Sequence, residues 1–314
     1  MTLPAPPRPS TAGYLAVLAT LLVLAAAAGS AGCLSGGTED RAPPHERTAV
    51  VTVLPQAEVV REIAGGEWTV LTVVPPGVEP HTYEPTASQV SAVSRADAYF
   101  RLGPGLMPFE DALLERVTAQ APGIVVIDMS GGVSLLHGDS GGDGGGDREG
   151  VGVDPHIWLS PENLRTMAEN VARGLSEIDP ANAGAYSARK NAYIAKIDAC
   201  TDAIRNNLTG LEGRAFLVFH PALGYFARDF GLVQVAVEEE GREPGPAGLS
   251  RLVTYARDHG ISVIFVEPQF STRESEVIAR EINGTVATID PLAPDVLENL
   301  VRISGAIAGS YRAE

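Results

Sequence analysis

A chain of 314 residues is long enough for two domains of ordinary size or one large α/β domain. Its composition, 45% hydrophobic and 20% charged, is globular, and a formal net charge of −16 argues against a nucleic-acid partner needing a basic face. The same acidity serves solubility and could attract cations.

Residues 1–33 stand apart from the fold. Arg8 is the only charge before an apolar run of 15 residues, Tyr14 to Ala28, which has the length of a signal-peptide core and is short for a membrane span. It leads into "SAGC", and small residues before a lone cysteine resemble a lipoprotein processing site. Cys33 would then be lipidated and become the mature N-terminus, although Ser30 stands where such sites usually carry leucine. Simple signal cleavage and an uncleaved anchor are the other readings. Cys200 is the second of 2 cysteines, so no disulfide within the chain remains once Cys33 carries lipid.

Residues 34–47, polar and proline-rich, read as a flexible tether. Residues 48–179 form a first lobe of alternating elements. "TAVVTVLPQ", "WTVLTVVPP", "DAYFRLG" and "GIVVIDMS" read as strands. "AEVVREIAG", "TASQVSAVSRA" with Thr86 as cap, and "FEDALLERVTAQ" read as helices. Short connections between alternating strands and helices point to a parallel sheet with helices on its faces. Residues 137–150, half glycine and without an apolar side chain, cannot pack and read as a disordered surface loop. A helix follows from Ser160-Pro161 to about Ile178.

Residues 180–209 carry alanines at three- and four-residue spacing, from Ala185 to Ala203, and predict a long helix of up to ~28 residues, spanning ~42 Å at ~1.5 Å per residue. Residues 210–314 resume the alternation as a second lobe: "AFLVFHP", "LVQVAVEEE", "ISVIFVEPQ" and "TVATIDP" are strands, with helices between them and at the end. The fold class is therefore α/β, with two lobes of parallel sheet flanked by helices and joined by one long rigid helix.

Three of the 6 histidines share one local grammar: His81 in "EPHTY", His156 in "DPHIW" and His220 in "VFHPA" each sit beside proline and near an apolar run. Asp290 in "TIDP" repeats it with a carboxylate. Ligands in open α/β sheets bind outside the carboxyl ends of strands, so two such ends from each lobe would face each other across a cleft. Three imidazoles and one carboxylate make a closed tetrahedral site suited to Zn²⁺ rather than to Mg²⁺ or Ca²⁺. Taken singly, each histidine would read as an ordinary turn residue; the recurrence is what argues for metal.

His45 lies in the tether, His137 opens the glycine loop and His259 precedes Gly260; all three read as solvent-exposed, with metal collection the rival role for His137. Glu267 in "VIFVEPQF" reads first as a residue that structures its loop, and second as a ligand or base. Glu79 is placed to orient His81. Residues 237–248 read as a solvated connection, and the triplets at Asn207 and Asn283 match glycosylation acceptors common by chance. There is no Walker loop and no G-x-G-x-x-G turn after a strand.

With "GVEPHTYEPT", "DPHIWLSPEN", "VFHPALGYFARDFGL", "VEPQFSTRE" and "TIDPLAPD" in this order, the chain resembles the substrate-binding proteins of zinc and manganese ABC importers, the zinc-uptake and adhesin-like lipoproteins. The resemblance covers about 48 to 311. It implies a single metal held between the lobes by His81, His156, His220 and Asp290. It also implies a monomer, an ABC permease and its ATPase as partners, a membrane anchor through Cys33, an extracytoplasmic location and no catalytic step. His220 and "EPQF" resemble the zinc type, where manganese members commonly carry glutamate at the third position. The glycine loop departs from the histidine-rich insertion of zinc members, and Cys200 alone rules out the second-lobe disulfide some of them have. The rivals are a Mn²⁺-specific member, an extracytoplasmic zinc hydrolase in which Asp290 does not ligate and Glu267 acts as base, and an adhesin whose metal is only structural.

Overall fold

The computed structural model describes residues 47–137, 152–238 and 244–312. The leader, the tether before Arg47, Cys33 and the glycine-rich segment beyond His137 lie outside the described residues. Strand β1 (Arg47–Val51) ends three residues before the apolar run does at Leu54, because Pro55 sits in the first turn of helix α1 (Leu54–Ala64). Gln56 caps that turn, its Oε1 accepting from the backbone N–H of Thr52 and of Val53, each at 3.0 Å. β2 (Trp68–Thr72), α2 (Ala87–Val93), β3 (Ala98–Arg101), α3 (Pro108–Gln120) and β4 (Val125–Asp128) follow. Thr86 and Gln89 form a reciprocal capping box at the start of α2.

A 3₁₀ turn, Ile157–Leu159, then leads into α4 (Pro161–Ile178), whose N-cap Ser160 accepts from the N–H of Asn163 at 3.0 Å. Gly174 lets α4 lie close to β4, since a Cβ there would stand 2.6 Å from Cγ1 of Ile127. The long helix begins with a 3₁₀ turn, Pro180–Asn182, and continues as α5 (Ala183–Asn207). Its 25 residues extend about 38 Å at ~1.5 Å per residue. The second lobe contains β5 (Ala215–Val218), α6 (Gly224–Phe230), β6 (Val233–Ala236), α7 (Pro246–Asp258), β7 (Val263–Val266), α8 (Arg273–Glu281), β8 (Thr285–Thr288) and α9 (Val296–Arg312).

Both sheets are parallel and have the same topology, β2-β1-β3-β4 and β6-β5-β7-β8. Each has its first strand inside the sheet, so the chain turns to one side and then crosses to the other. The buried faces do not form two isolated cores. One apolar cluster includes Phe100 of the first sheet, Leu164 and Val171 of α4, Tyr193 and Ile197 of α5, Phe216 of the second sheet and Leu300 of α9. The lobes thus share packing along α4, α5 and α9, which opposes large hinge motion because close-packed side chains resist sliding. Among the described residues, no helix is long and apolar enough to cross a membrane.

Candidate metal centre

The switch in strand order leaves a crevice at the carboxyl ends of the central strands, the usual place for a ligand in an open α/β sheet. In the second lobe all four strand ends deliver a polar side chain there or nearby: His220 after β5, Glu238 after β6, Glu267 after β7 and Asp290 after β8. The first lobe contributes His81 from the proline-rich loop after β2. His156 precedes the turn into α4 and does not end a strand, contrary to the expected pairing of two strand ends per lobe.

Its neighbours also differ from what chain order suggests. Tyr225 donates from its hydroxyl to the Asp154 carbonyl at 2.7 Å, Trp158 donates from Nε1 to the Pro291 carbonyl at 2.8 Å, and the Ser160 hydroxyl donates to the Asp229 carboxylate. The His156 turn is therefore fastened to the second lobe, although it precedes the linking helix.

The three imidazoles converge. Nε2 of His156 lies 3.2 Å from Nε2 of His81 and 3.3 Å from Nε2 of His220, and the ring centroids are 5.1, 5.2 and 5.1 Å apart. Tetrahedral zinc with Zn–N bonds of ~2.0–2.1 Å would hold its nitrogens roughly 3.3–3.4 Å apart. The two spacings from His156 lie within about 0.2 Å of that value. Trp158 meets His156 edge-on at 5.3 Å, and Phe270 stacks on His220 at 5.2 Å, so apolar rings wall the group.

Carboxylates behind two of the rings fix their tautomers. Asp154 Oδ1 lies 2.8 Å from His156 Nδ1, and Glu238 Oε2 lies 3.2 Å from His220 Nδ1. With Nδ1 carrying the proton, each Nε2 lone pair faces the shared centre. Glu238 corrects the reading of 237–248 as mere solvated connection: its carboxylate is only 11% exposed and backs a ring. The signal for Asp154 was present in the repeated acid–proline–histidine triplet. Both acids accept the N–H of the histidine two residues on, at 2.7 Å for Glu79 and 2.9 Å for Asp154. The shorter Asp154 also reaches the ring, whereas Glu79 spends its second oxygen on the N–H and hydroxyl of Thr82. Glu79 thus shapes the loop rather than turning the ring.

Charge follows from these environments. Loss of solvation, then the neighbouring His156 and His220, pull His81 down to about 3. Burial likewise lowers His156, against the opposing pull of Asp154. Burial acts to lower His220 as well, but the hydrogen bond and charge of Glu238, joined by Glu267 and Glu79, outweigh it and leave this imidazole raised. Glu267 is 2% exposed and is pushed up to about 7 by burial, which the nearby His220 only partly offsets. Its Oε2 accepts the His220 N–H at 3.4 Å, and its carbonyl accepts from the N–H of Phe270, so it does structure its loop.

Asp290 stands apart. Its Oδ1 accepts from the Leu292 N–H at 3.0 Å and from Gln269 Nε2 at 3.3 Å, and its carboxylate does not join the group formed by the three imidazoles. His137 is exposed and pairs with Val153 in an isolated antiparallel bridge, and His259 is exposed on its helix end.

The matching family model describes the zinc-uptake complex component A, periplasmic, and spans residues 49–300. The chain belongs to this family. Its function is accordingly extracytoplasmic capture of a metal ion for an uptake system, as a substrate-binding transport protein. It is 28% identical over 284 residues to the high-affinity zinc uptake system protein ZnuA of Bacillus subtilis, covering 88% of each chain. It is also 28% identical over 249 residues to the zinc-binding lipoprotein AdcA of Streptococcus pneumoniae, covering 77% of this chain and 49% of that one. A crystal structure of ZnuA superposes with a TM-score of 0.77 at 37% identity, over 84% of this chain and 98% of the other. The manganese-bound FpvC of Pseudomonas aeruginosa does so at 0.71 and 28%, over 85% and 99%.

Proposed function

We propose that the chain captures Zn²⁺ at His81, His156 and His220, with Asp290 as fourth ligand, and delivers it to an ABC permease driven by its ATPase. The observation that carries this reading is the nitrogen spacing of 3.2 and 3.3 Å, which suits one small ion bound by neutral imidazoles. For Asp290 to bind, its carboxylate must give up Gln269 and swing toward the rings. Because His156 and His220 both rest on second-lobe structure, His81 is the ligand that departs when the permease draws the lobes apart. In this reading residues 1–33 are a leader ending at lipidated Cys33, residues 34–46 a tether to the membrane, and the protein acts as a monomer.

The test is metal analysis of the purified protein, followed by competitive titration of Zn²⁺ against Mn²⁺. One tightly held zinc, lost by orders of magnitude in affinity in His220→Ala, is the expected result. Near-equal manganese affinity would overturn zinc as cargo, and an indifferent His220→Ala would overturn the ligand set. Metal-dependent turnover of ester or peptide substrates would favour instead the hydrolase with Glu267 as base.

A further inference from the structure

We infer that Gly224, the first residue of α6, is a positioning residue for His156, acting through Asp154. The inference rests on the tri-histidine reading and adds a residue that touches no ligand ring. A Cβ built on Gly224 would lie 2.7 Å from Asp154 Oδ2 and 3.9 Å from its Cγ, and next nearest is Leu136 Cδ1 at 3.6 Å. The carboxylate therefore occupies the room that the missing side chain leaves. Its other oxygen, Oδ1, takes both the His156 ring at Nδ1 and the His156 N–H.

Asp154 cannot withdraw as a whole to make space. Its N–H donates to the Leu136 carbonyl at 2.8 Å, and its own carbonyl accepts the Tyr225 hydroxyl at 2.7 Å. That hydroxyl in turn accepts from the Leu136 N–H at 3.1 Å. Only the carboxylate can turn, and turning it takes Oδ1 away from the imidazole. The glycine is not required by backbone conformation, since it lies outside the positive-φ region, and alanine is the better helix former. A second-lobe helix thus sets the aim of a ligand that precedes the linking helix.

The experiment compares the purified protein with Gly224→Ala, Asp154→Ala and the double variant. It reads Zn²⁺ affinity by chelator competition, the Co²⁺ absorption spectrum, and the thermal midpoint of the metal-free protein. Gly224→Ala should lower the metal-free midpoint by no more than Asp154→Ala does, lower zinc affinity by about 10-fold or more, as loss of a ring's supporting carboxylate does, and shift the Co²⁺ bands. The double variant should bind no more weakly than Asp154→Ala, because both changes remove one interaction. Wild-type zinc affinity in Gly224→Ala, or additive losses in the double variant, would overturn the inference. If Gly224→Ala fails to fold, the double variant, which removes the carboxylate that the Cβ meets, should fold and bind like Asp154→Ala; its failure also overturns the inference. An unmutated protein that binds no zinc would instead sink the functional reading beneath it.

Discussion

Lowering the pH from 7 to 5 should cost this protein far less zinc affinity than three ordinary histidines would lose. Each imidazole must be neutral to bind metal. At pH 5 an unperturbed histidine lies about 1.5 pH units below its pKa and imposes ~2 kcal/mol, so three would impose roughly 6 kcal/mol, more than four powers of ten. Here His81, held down to about 3, is already neutral at pH 5, and burial lowers His156 as well. Only His220 is raised, through Glu238. Zinc should therefore displace fewer than three protons at pH 5, and the logarithm of affinity should fall with a slope below three per pH unit. Neutral His81 alone removes ~2 kcal/mol, roughly 30-fold, from the loss that three ordinary histidines would show. Chelator competition across this range measures the slope, and calorimetry in buffers of different ionisation enthalpy counts the protons. Glu238→Gln should move the acid limb to lower pH. A slope of three, or an acid limb indifferent to Glu238, would refute the reasoning.

Glu110, fully buried and pushed up to about 7 by burial, keeps a proton in the folded state that the unfolded chain releases near 4.5. Stability of the metal-free protein should fall as pH rises through that window, by on the order of 3 kcal/mol from this group. Denaturant titrations at pH 5 and 8 should show a smaller difference for Glu110→Gln, with the remainder carried by Glu267 in the same direction. Gly174→Ala forces a methyl against Ile127 and should destabilise by about 1–3 kcal/mol, read as a lower denaturant midpoint with unchanged slope. Trp158→Phe leaves the Pro291 carbonyl without its donor, which should cost about 1–3 kcal/mol and speed zinc release in stopped-flow chelation.

The periodic signals were local, and so they were legible. Alternation of strand and helix, the Ser160-Pro161 start of α4, the Thr86 cap and the alanine spacing of α5 each depend on neighbours within one or two turns. Errors sat where a proline reassigns a few residues, as at Leu54 to Gln56, or where a 3₁₀ turn replaces the first turn of a helix, as at Pro180. Three histidines could be picked from the chain because their proline contexts repeat. Glu238 could not, since an acid in a run of three looks like solvated surface until β6 is laid beside β5 and the carboxylate meets His220.

The sequence by itself determined the two parallel lobes, the linking helix and the imidazoles that a metal would need, because residue type and spacing encode secondary structure and donor chemistry directly. Tertiary structure alone decided which lobe holds His156, which acids orient the rings and where Asp290 rests. Those outcomes depend on contacts between segments far apart in the chain, such as Tyr225 with Asp154 and Trp158 with Pro291. No local pattern records such a contact, because each partner alone satisfies ordinary rules of turn and helix chemistry.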